Sequence, residues 1–562
     1  MLLIVLSWIY IAFTSLNWGF VFRKLLKIND CHVTIHLILG LFLYTIITSG
    51  AAFFIRIHIE YYVVILILNL ILTFIFKKDI AQYLNTALYT FKAFKIQYKI
   101  LFGLVFLLAL AQSATAPYLI DNESYYIQTI KWINEFGYVK GLANLHVFLG
   151  QNSSWHTLQA GFNFPFISNR FNDINGFVFV LLGLLFVEKL HKHETKQDFF
   201  LGLVLVFSLF FMQFVNTPSP DLIVFLITPY VIYEFILNYK NISINRFKIL
   251  LSLVLFLCFI KVTMLVLSVL IAILFFINYK TLEFESLRYT IICCIILSMF
   301  LLKNYIISGY LLYPTSAFNV LDVDWKLPKQ LLQLYKTGTY QSGMNNTDVT
   351  HLNAFETFSY WIKIPKLHGF FNKVYVILLI IFPLFILKIK NRKPLLIIYM
   401  LALLQFAIVW LNSPQYRFFF VFIVVLSLQI FISVFKSQKI GLIFIYVSLA
   451  LSAITLFIPI NLNAFTSNNF AMSLSNFKLN SLVIPAKNSR ITTTFTKENN
   501  SGFEFNSPGD DVFFWATGDG DLPCVNKQHI EYIKTYYHFI PKLRGNGLND
   551  GFISYKLENS EN

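Results

Sequence analysis

Long apolar runs alternate with short polar connections over the first 460 positions of the chain. A helix crossing the hydrocarbon of a bilayer needs about 20 largely apolar residues. Runs of that kind fall near 2–20, 35–55, 58–76, 99–117, 173–189, 199–216, 221–238, 247–260, 262–279, 289–308, 373–388, 394–411, 415–434 and 440–459. Two polar loops, 118–173 and 309–372, interrupt the series, and a tail follows residue 460. The pattern predicts an all-α polytopic membrane domain over 1–460.

The stretch Phe247–Asn278 decides the direction of everything after it. It holds two apolar runs split by Lys261, too long for one crossing and short for two. Basic residues settle the choice, because positive charge is retained on the cytoplasmic side. With two crossings, the clusters Lys77/Lys78, Lys388/Lys390/Arg392/Lys393 and Lys436/Lys439 all fall inside. The short outer connections then hold only Arg56, Lys261 and Arg417. With one crossing the 388–393 cluster would lie outside. The reading is therefore about fourteen crossings, with both termini and both long loops non-cytoplasmic. Phe247–Asn278 becomes a broken hairpin with Lys261 near the outer edge of the membrane. Arg23, Lys24 and Lys27, the first basic residues, follow the first apolar run. That order predicts a retained helix rather than a cleaved signal peptide.

Composition agrees with a nonaqueous solvent. The chain is 57% hydrophobic and 13% charged, against about 45–50% and about 25% in soluble domains. The net charge of +16 sits largely in the flanks of apolar runs, so there is no basic domain for nucleic acid. Five scattered cysteines form no CxxC pair, which excludes a disulfide framework or a zinc site by spacing. Beyond the last helix, the Asn-rich 461–480 reads as a linker. Arg490–Lys497 and Asp511–Ala516 read as strands and Gln528–Ile540 as a short helix. The tail, 461–562, is predicted as a small α+β extramembrane domain.

Candidate chemistry gathers on the outer side. Asp121 and Glu123 follow directly on an apolar run, and Tyr126, Ile130 and Ile133 then line one face of an interface-lying helix, with Trp132 beside it. Asp121 could cap that helix or present a carboxylate to a polar cavity. Thr217-Pro218-Ser219-Pro220-Asp221 is a tight turn that carries a second carboxylate. Lys261 and Arg417 are cations at the same level, either snorkelling or facing a site. Two carboxylates and two cations at one depth suit transfer from a phosphate-linked lipid. The cations would hold the phosphate, and a carboxylate would take the proton of an acceptor hydroxyl. Asp121, Glu123 and Asp221 would also offer oxygen ligands to Mg²⁺ or Mn²⁺. His146 and His156 lack metal-ligand spacing and are either site-lining or structural. The acidic run Asp510, Asp511, Asp519 and Asp521 lacks calcium-loop spacing and reads as a solvated loop.

These blocks resemble an uncharacterised family of bacterial polytopic membrane proteins. The resemblance is carried by Asp121…Tyr126, Lys131-Trp132, Gly141…His146, Asn152-Ser153-Ser154-Trp155, Ser219-Pro220-Asp221, Ile260-Lys261, Ser308…Pro314 and Asp324-Trp325. In the tail it includes Trp515, Leu522-Pro523-Cys524 and Arg544-Gly545…Asp550-Gly551-Phe552. The architecture is similar to the GT-C glycosyltransferase superfamily, whose members take sugars from polyprenyl-phosphate carriers. Those enzymes place a catalytic Asp in the first large outer loop, the position that Asp121 matches. Three helices more than that pattern has precede the loop here. The resemblance implies a bacterial inner-membrane glycosyltransferase acting on an envelope glycan or lipid, with Asp121 catalytic; Glu123, His146, Asp221, Lys261 and Arg417 are expected to bind substrate from their own placement. Its partners would be membrane lipids and a polyprenyl-phosphate-linked sugar. A transporter or flippase, and a noncatalytic assembly subunit, are the competing readings.

Overall fold

The computed structural model describes residues 1–282, 286–318, 321–389, 392–435, 437–474, 477–500 and 503–557. Lys390 and Lys436, two of the basic flanks, lie outside the described residues. The apolar runs form α1 (Leu2–Leu26), α2 (Val33–Ala51), α3 (Ile59–Ile75) and α5 (Ile96–Ser113), and the polar connection between α3 and α5 forms the amphipathic α4 (Lys77–Lys92). The first loop carries α6 (Ile127–Phe136) and α7 (Ser154–Ala160). There follow α8 (Ile174–Lys192), α9 (Lys196–Gly202), α10 (Ser208–Val215), α11 (Pro220–Asn238), α12 (Ile244–Ile260), α13 (Ser268–Asn278) and α14 (Ser286–Ser308). The second loop carries α15 (Lys329–Gly343) and α16 (Ala354–Lys363), before α17 (Lys366–Ile386), α18 (Lys393–Asn412), α19 (Phe420–Val434) and α20 (Gln438–Phe457). Among the described residues, ten helical segments are long and apolar enough to cross a membrane, with α9–α10 counted as one. α3 and α4 pass that test only as a pair, bent by 84°. The protein is a multi-pass helical membrane protein with a small strand-containing tail.

Polar contacts sort the helix ends onto two faces. On one, His32 Nε2 meets Glu188 Oε2 at 2.7 Å, joining the start of α2 to the end of α8. There too Asn29 N donates to Asn245 Oδ1 at the start of α12, and Gln438 Nε2 donates to the Leu190 carbonyl. Arg23, Lys24, Lys189 and Lys192 occupy the last turns on this basic face. On the other face, Leu3 N donates to the Val483 carbonyl and Ala486 N to the Ala114 carbonyl. The start of the chain, the end of α5 and the tail therefore share the face that carries the loops.

Phe247–Asn278 is a hairpin. α12 leaves the basic face beside Asn29, and Lys261 reaches Asp221 in the first turn of α11 on the loop face. α13 returns, so that Asn278 Nδ2 donates to the Tyr239 carbonyl at 3.4 Å. The helix breaks at Lys261, whose backbone is extended, and a 3₁₀ turn Val262–Leu267 follows. The break frees the Ile260 carbonyl, and Ser153 Oγ donates to it at 2.7 Å. A helix break in a bundle survives because a neighbour satisfies the exposed backbone.

The tail differs from its sequence reading. Its paired strands are β1 (Ile460–Asn461) with β2 (Ser473–Leu474), β3 (Phe495–Asn500) with β4 (Phe503–Pro508), and β5 (Phe539–Leu543) with β6 (Phe552–Lys556), all antiparallel. One helix, α21 (Lys527–Tyr537), stands where a short helix is expected. Asp511–Ala516 is not a strand: Phe514 and Trp515 instead pack edge-on against His529 of α21 and His146 of the first loop. Only the end of Arg490–Lys497 is strand, because 489–490 is bound to Glu123 instead. Isolated two-stranded hairpins are marginal, and these are held by the first loop. Phe552 packs edge-on to Trp132 at 5.8 Å, and Phe552 N donates to the Lys140 carbonyl. α6 is consequently covered by the tail and by α7, with Ile130, Trp132 and Ile133 buried, as is Tyr126 just before it. It is not the free interfacial helix its amphipathic pattern predicts.

Candidate functional site

A π-helical turn, Asn122–Tyr126, joins the entrance of the first loop to α6. Its i→i+5 bonding widens the turn, which brings residues five apart onto one side. Tyr126 Oη donates to Asp121 Oδ2 at 3.3 Å across that interval. Widening also frees backbone carbonyls, and the tail supplies the donors. Thr517 N and Gly518 N donate to the Glu123 carbonyl at 2.8 and 2.9 Å, and Thr517 Oγ1 to the Ser124 carbonyl. Asp121 makes no side-chain capping bond, so the capping alternative does not hold. Its carboxylate points to a cation.

That cation is Arg417, in the 3₁₀ turn Tyr416–Phe418 between α18 and α19. Its Nη1 lies 2.5 Å from Asp121 Oδ2 and 3.9 Å from Asp221 Oδ2. Asp221 lies in the first turn of α11, where Ser219 caps the helix and Pro220 sits at its start. Lys261 Nζ donates to Asp221 Oδ1. Phe418 floors both cations, with Lys261 Nζ 4.4 Å and Arg417 Cζ 4.9 Å from its ring centre. The turn at 217–221, the hairpin break at 261 and the turn at 416–418 thus meet the loop entrance at Asp121. Asp121, Asp221, Lys261 and Arg417 form one cluster of two positive and two negative charges. Burial alone would lower the Arg417 guanidinium, but the two carboxylates outweigh it and hold it protonated. Asp121 is the accessible acid, with 24% of its side chain exposed against 2% for Asp221.

Glu123 does not join the cluster. Its carboxylate accepts from Ser489 Oγ at 2.6 Å and Arg490 N at 2.8 Å, so it anchors the tail. Burial raises it to about 7, against the lowering effect of these bonds and of Asn122. The three carboxylates expected as oxygen ligands are thus not assembled, and Asp121 and Asp221 are already engaged by cations. No group of three His, Cys, Asp or Glu suited to a metal occurs among the described residues. His146 is also remote from the four charges by its contacts: its ring stands among Phe148, Trp515 and His529. Burial lowers it to about 3, so it is a neutral core histidine.

His156 stands closer to the cluster. Its ring centre is 4.6 Å from that of Tyr126, the residue bound to Asp121. Burial, with the Lys303 charge second, lowers it to about 3. Lys303 on α14 is the residue that sequence reasoning passed over, although a lone lysine within an apolar run is the signal for it. The acidic run of the tail is also partly engaged, Asp519 with Lys131 at 2.7 Å and Asp511 with Thr493.

A family model described as "Domain of unknown function (DUF8201)" matches residues 1–424. No curated protein and no solved structure matches the chain.

Proposed function

The chain belongs to the DUF8201 family, and since that description carries no activity, we propose a function from the site itself: glycosyl transfer from a polyprenyl-phosphate carrier on the outer face of the membrane. The observation that carries the proposal is the convergence of Asp121, Asp221, Lys261 and Arg417 where four helix ends and turns meet on the loop face. The same reading takes the helical segments as fourteen crossings of GT-C-like arrangement, with α3, α12, α13 and α19 added to the ten long ones. The loop face is then non-cytoplasmic, as expected if the opposite face, rich in Arg and Lys, is retained inside.

Each charge has a part in this scheme. Asp121, the accessible acid, accepts the proton of an acceptor hydroxyl as its oxygen attacks the anomeric carbon. The bond from that carbon to the carrier phosphate breaks, and the phosphate leaves with the electron pair. Arg417 and Lys261 stabilise the phosphate by charge-assisted hydrogen bonds. Asp221, buried between the cations, holds them in place before substrate arrives. Tyr126 orients Asp121 through the π turn.

The test offers the full-length protein in lipid nanodiscs a panel of polyprenyl-phosphate-linked sugars with envelope glycan acceptors. Release of free polyprenyl phosphate by the parent, and its loss in Arg417→Met, is the expected result. Movement of intact carrier lipid across proteoliposomes with no release of the sugar would replace transfer by transport.

A further inference from the structure

Lys303 is 3% exposed, and the carbonyl of Asn152 is its hydrogen-bond acceptor, with Nζ–O 2.5 Å. It is five residues before the end of α14, about 8 Å below that end at 1.5 Å per residue. No carboxylate pairs with it among the described ion pairs, whereas Lys261 and Arg417 are fully balanced by Asp221 and Asp121. An ammonium has three donors, and two of these remain. His156 is also buried, and neither of its nitrogens has a hydrogen-bond partner. Its neutral ring offers one N–H. The segment between them is shared: Asn152 receives Lys303, Ser153 binds the hairpin break beside Lys261, and His156 abuts Tyr126.

A lysine buried in a membrane bundle with no counter-charge is costly to ionise, and an anion bound beside it would supply the missing partner. A tetrahedral oxyanion would satisfy the free N–H donors of Lys303 and His156 and match one positive charge. We propose that Lys303 and His156 form an anion site next to the Asp121 cluster that takes a phosphate group. The depth of Lys303, just under the loop face, is where the headgroup of a lipid lies. The lipid source of that phosphate rests on the polyprenyl-carrier reading above, whereas the anion site itself does not. The balanced cluster handles the reacting end, and the unbalanced lysine supplies the net charge that a phosphate requires.

The experiment measures binding rather than transfer. Full-length parent, Lys303→Met and Lys303→Gln proteins in nanodiscs are titrated with a long-chain polyprenyl phosphate and, separately, with inorganic phosphate, followed by ³¹P NMR. Losing charge-assisted bonds should weaken binding by about 10- to 100-fold in both variants. Their thermal midpoints should not fall, since a buried unpaired charge has been removed. Lys303→Gln retains a donor for Asn152, so it reports if the Met variant fails to fold. Lysine-dependent binding of inorganic phosphate without lipid binding would keep the anion site and overturn the carrier reading. Parent-like affinity in the folded variants, or no binding of either probe by the parent, would overturn the proposal.

Discussion

Replacing Asp221 by Asn keeps the shape of the charge cluster and removes one of its two negative charges. The side chain is nearly inaccessible to solvent and faces Lys261 directly, with Arg417 at 3.9 Å. Two buried cations would then share the single carboxylate of Asp121. Breaking a buried pair by removing one partner costs about 3–5 kcal/mol. Loss of a carboxylate from the first turn of α11 adds about 0.3–1 kcal/mol. Asp121→Asn removes a partner of Arg417 only, at a position about a quarter exposed. Its cost should fall near 1–2 kcal/mol, between the exposed and buried limits. The two variants should separate oppositely in catalysis. Loss of a general base lowers turnover by about 10²–10⁴-fold, so Asp121→Asn should be a stable, inactive protein, whereas Asp221→Asn should be chiefly an unstable one. Thermal midpoints in nanodiscs, alongside release of polyprenyl phosphate, measure both quantities. Near-parental transfer by Asp121→Asn, or a larger loss of stability for it than for Asp221→Asn, would refute this division of labour.

The ion pair predicts coupling: Lys261→Met and Asp221→Asn together should be less destabilising than their separate effects summed, by about 0.5–3 kcal/mol in a double-mutant cycle. Additive effects would show that Lys261 simply reaches toward water. Glu123 predicts a pH dependence. Its folded value, raised by burial to about 7, exceeds its ordinary value, so its contribution is full at low pH and is lost as pH rises through about 7. Docking of the tail, read by limited proteolysis, should loosen between about pH 5 and 8 by up to about 3 kcal/mol, and Glu123→Gln should flatten that profile. A profile unchanged by the substitution would assign the effect elsewhere. Reporter fusions should place Lys78, Lys192 and Lys388 inside and Asn152, Asn345 and the tail outside; a tail found inside would contradict the inferred orientation.

The sequence alone determined the membrane class, the positions of the apolar helical segments and the hairpin at Phe247–Asn278, but not the amphipathic α4 or the loop helices α7, α15 and α16. Apolar run length and the placement of Lys and Arg are local properties that a bilayer reads directly. It also nominated Asp121, Asp221, Lys261 and Arg417, because charges at the ends of apolar runs are conspicuous one by one. Tertiary structure decided which of the nominated groups meet. Glu123 is two residues from Asp121, yet the π turn sends it to Ser489 and Arg490, a separation of more than 360 residues that no local pattern encodes. The amphipathic face of α6 read as an interfacial helix, but the same stripe suits a bilayer surface or a protein cover. Only the arrival of Phe552 and the rest of the tail chose the cover. Asp511–Ala516 has strand-like composition, but aromatic residues serve equally well as isolated wedges, and no partner strand lies beside it among the described residues. Charge balance was likewise invisible in one dimension. Lys261 and Lys303 are both single lysines in apolar surroundings, and only the packing of α11 and α14 gave the first a carboxylate and, among the described residues, left the second with a backbone carbonyl.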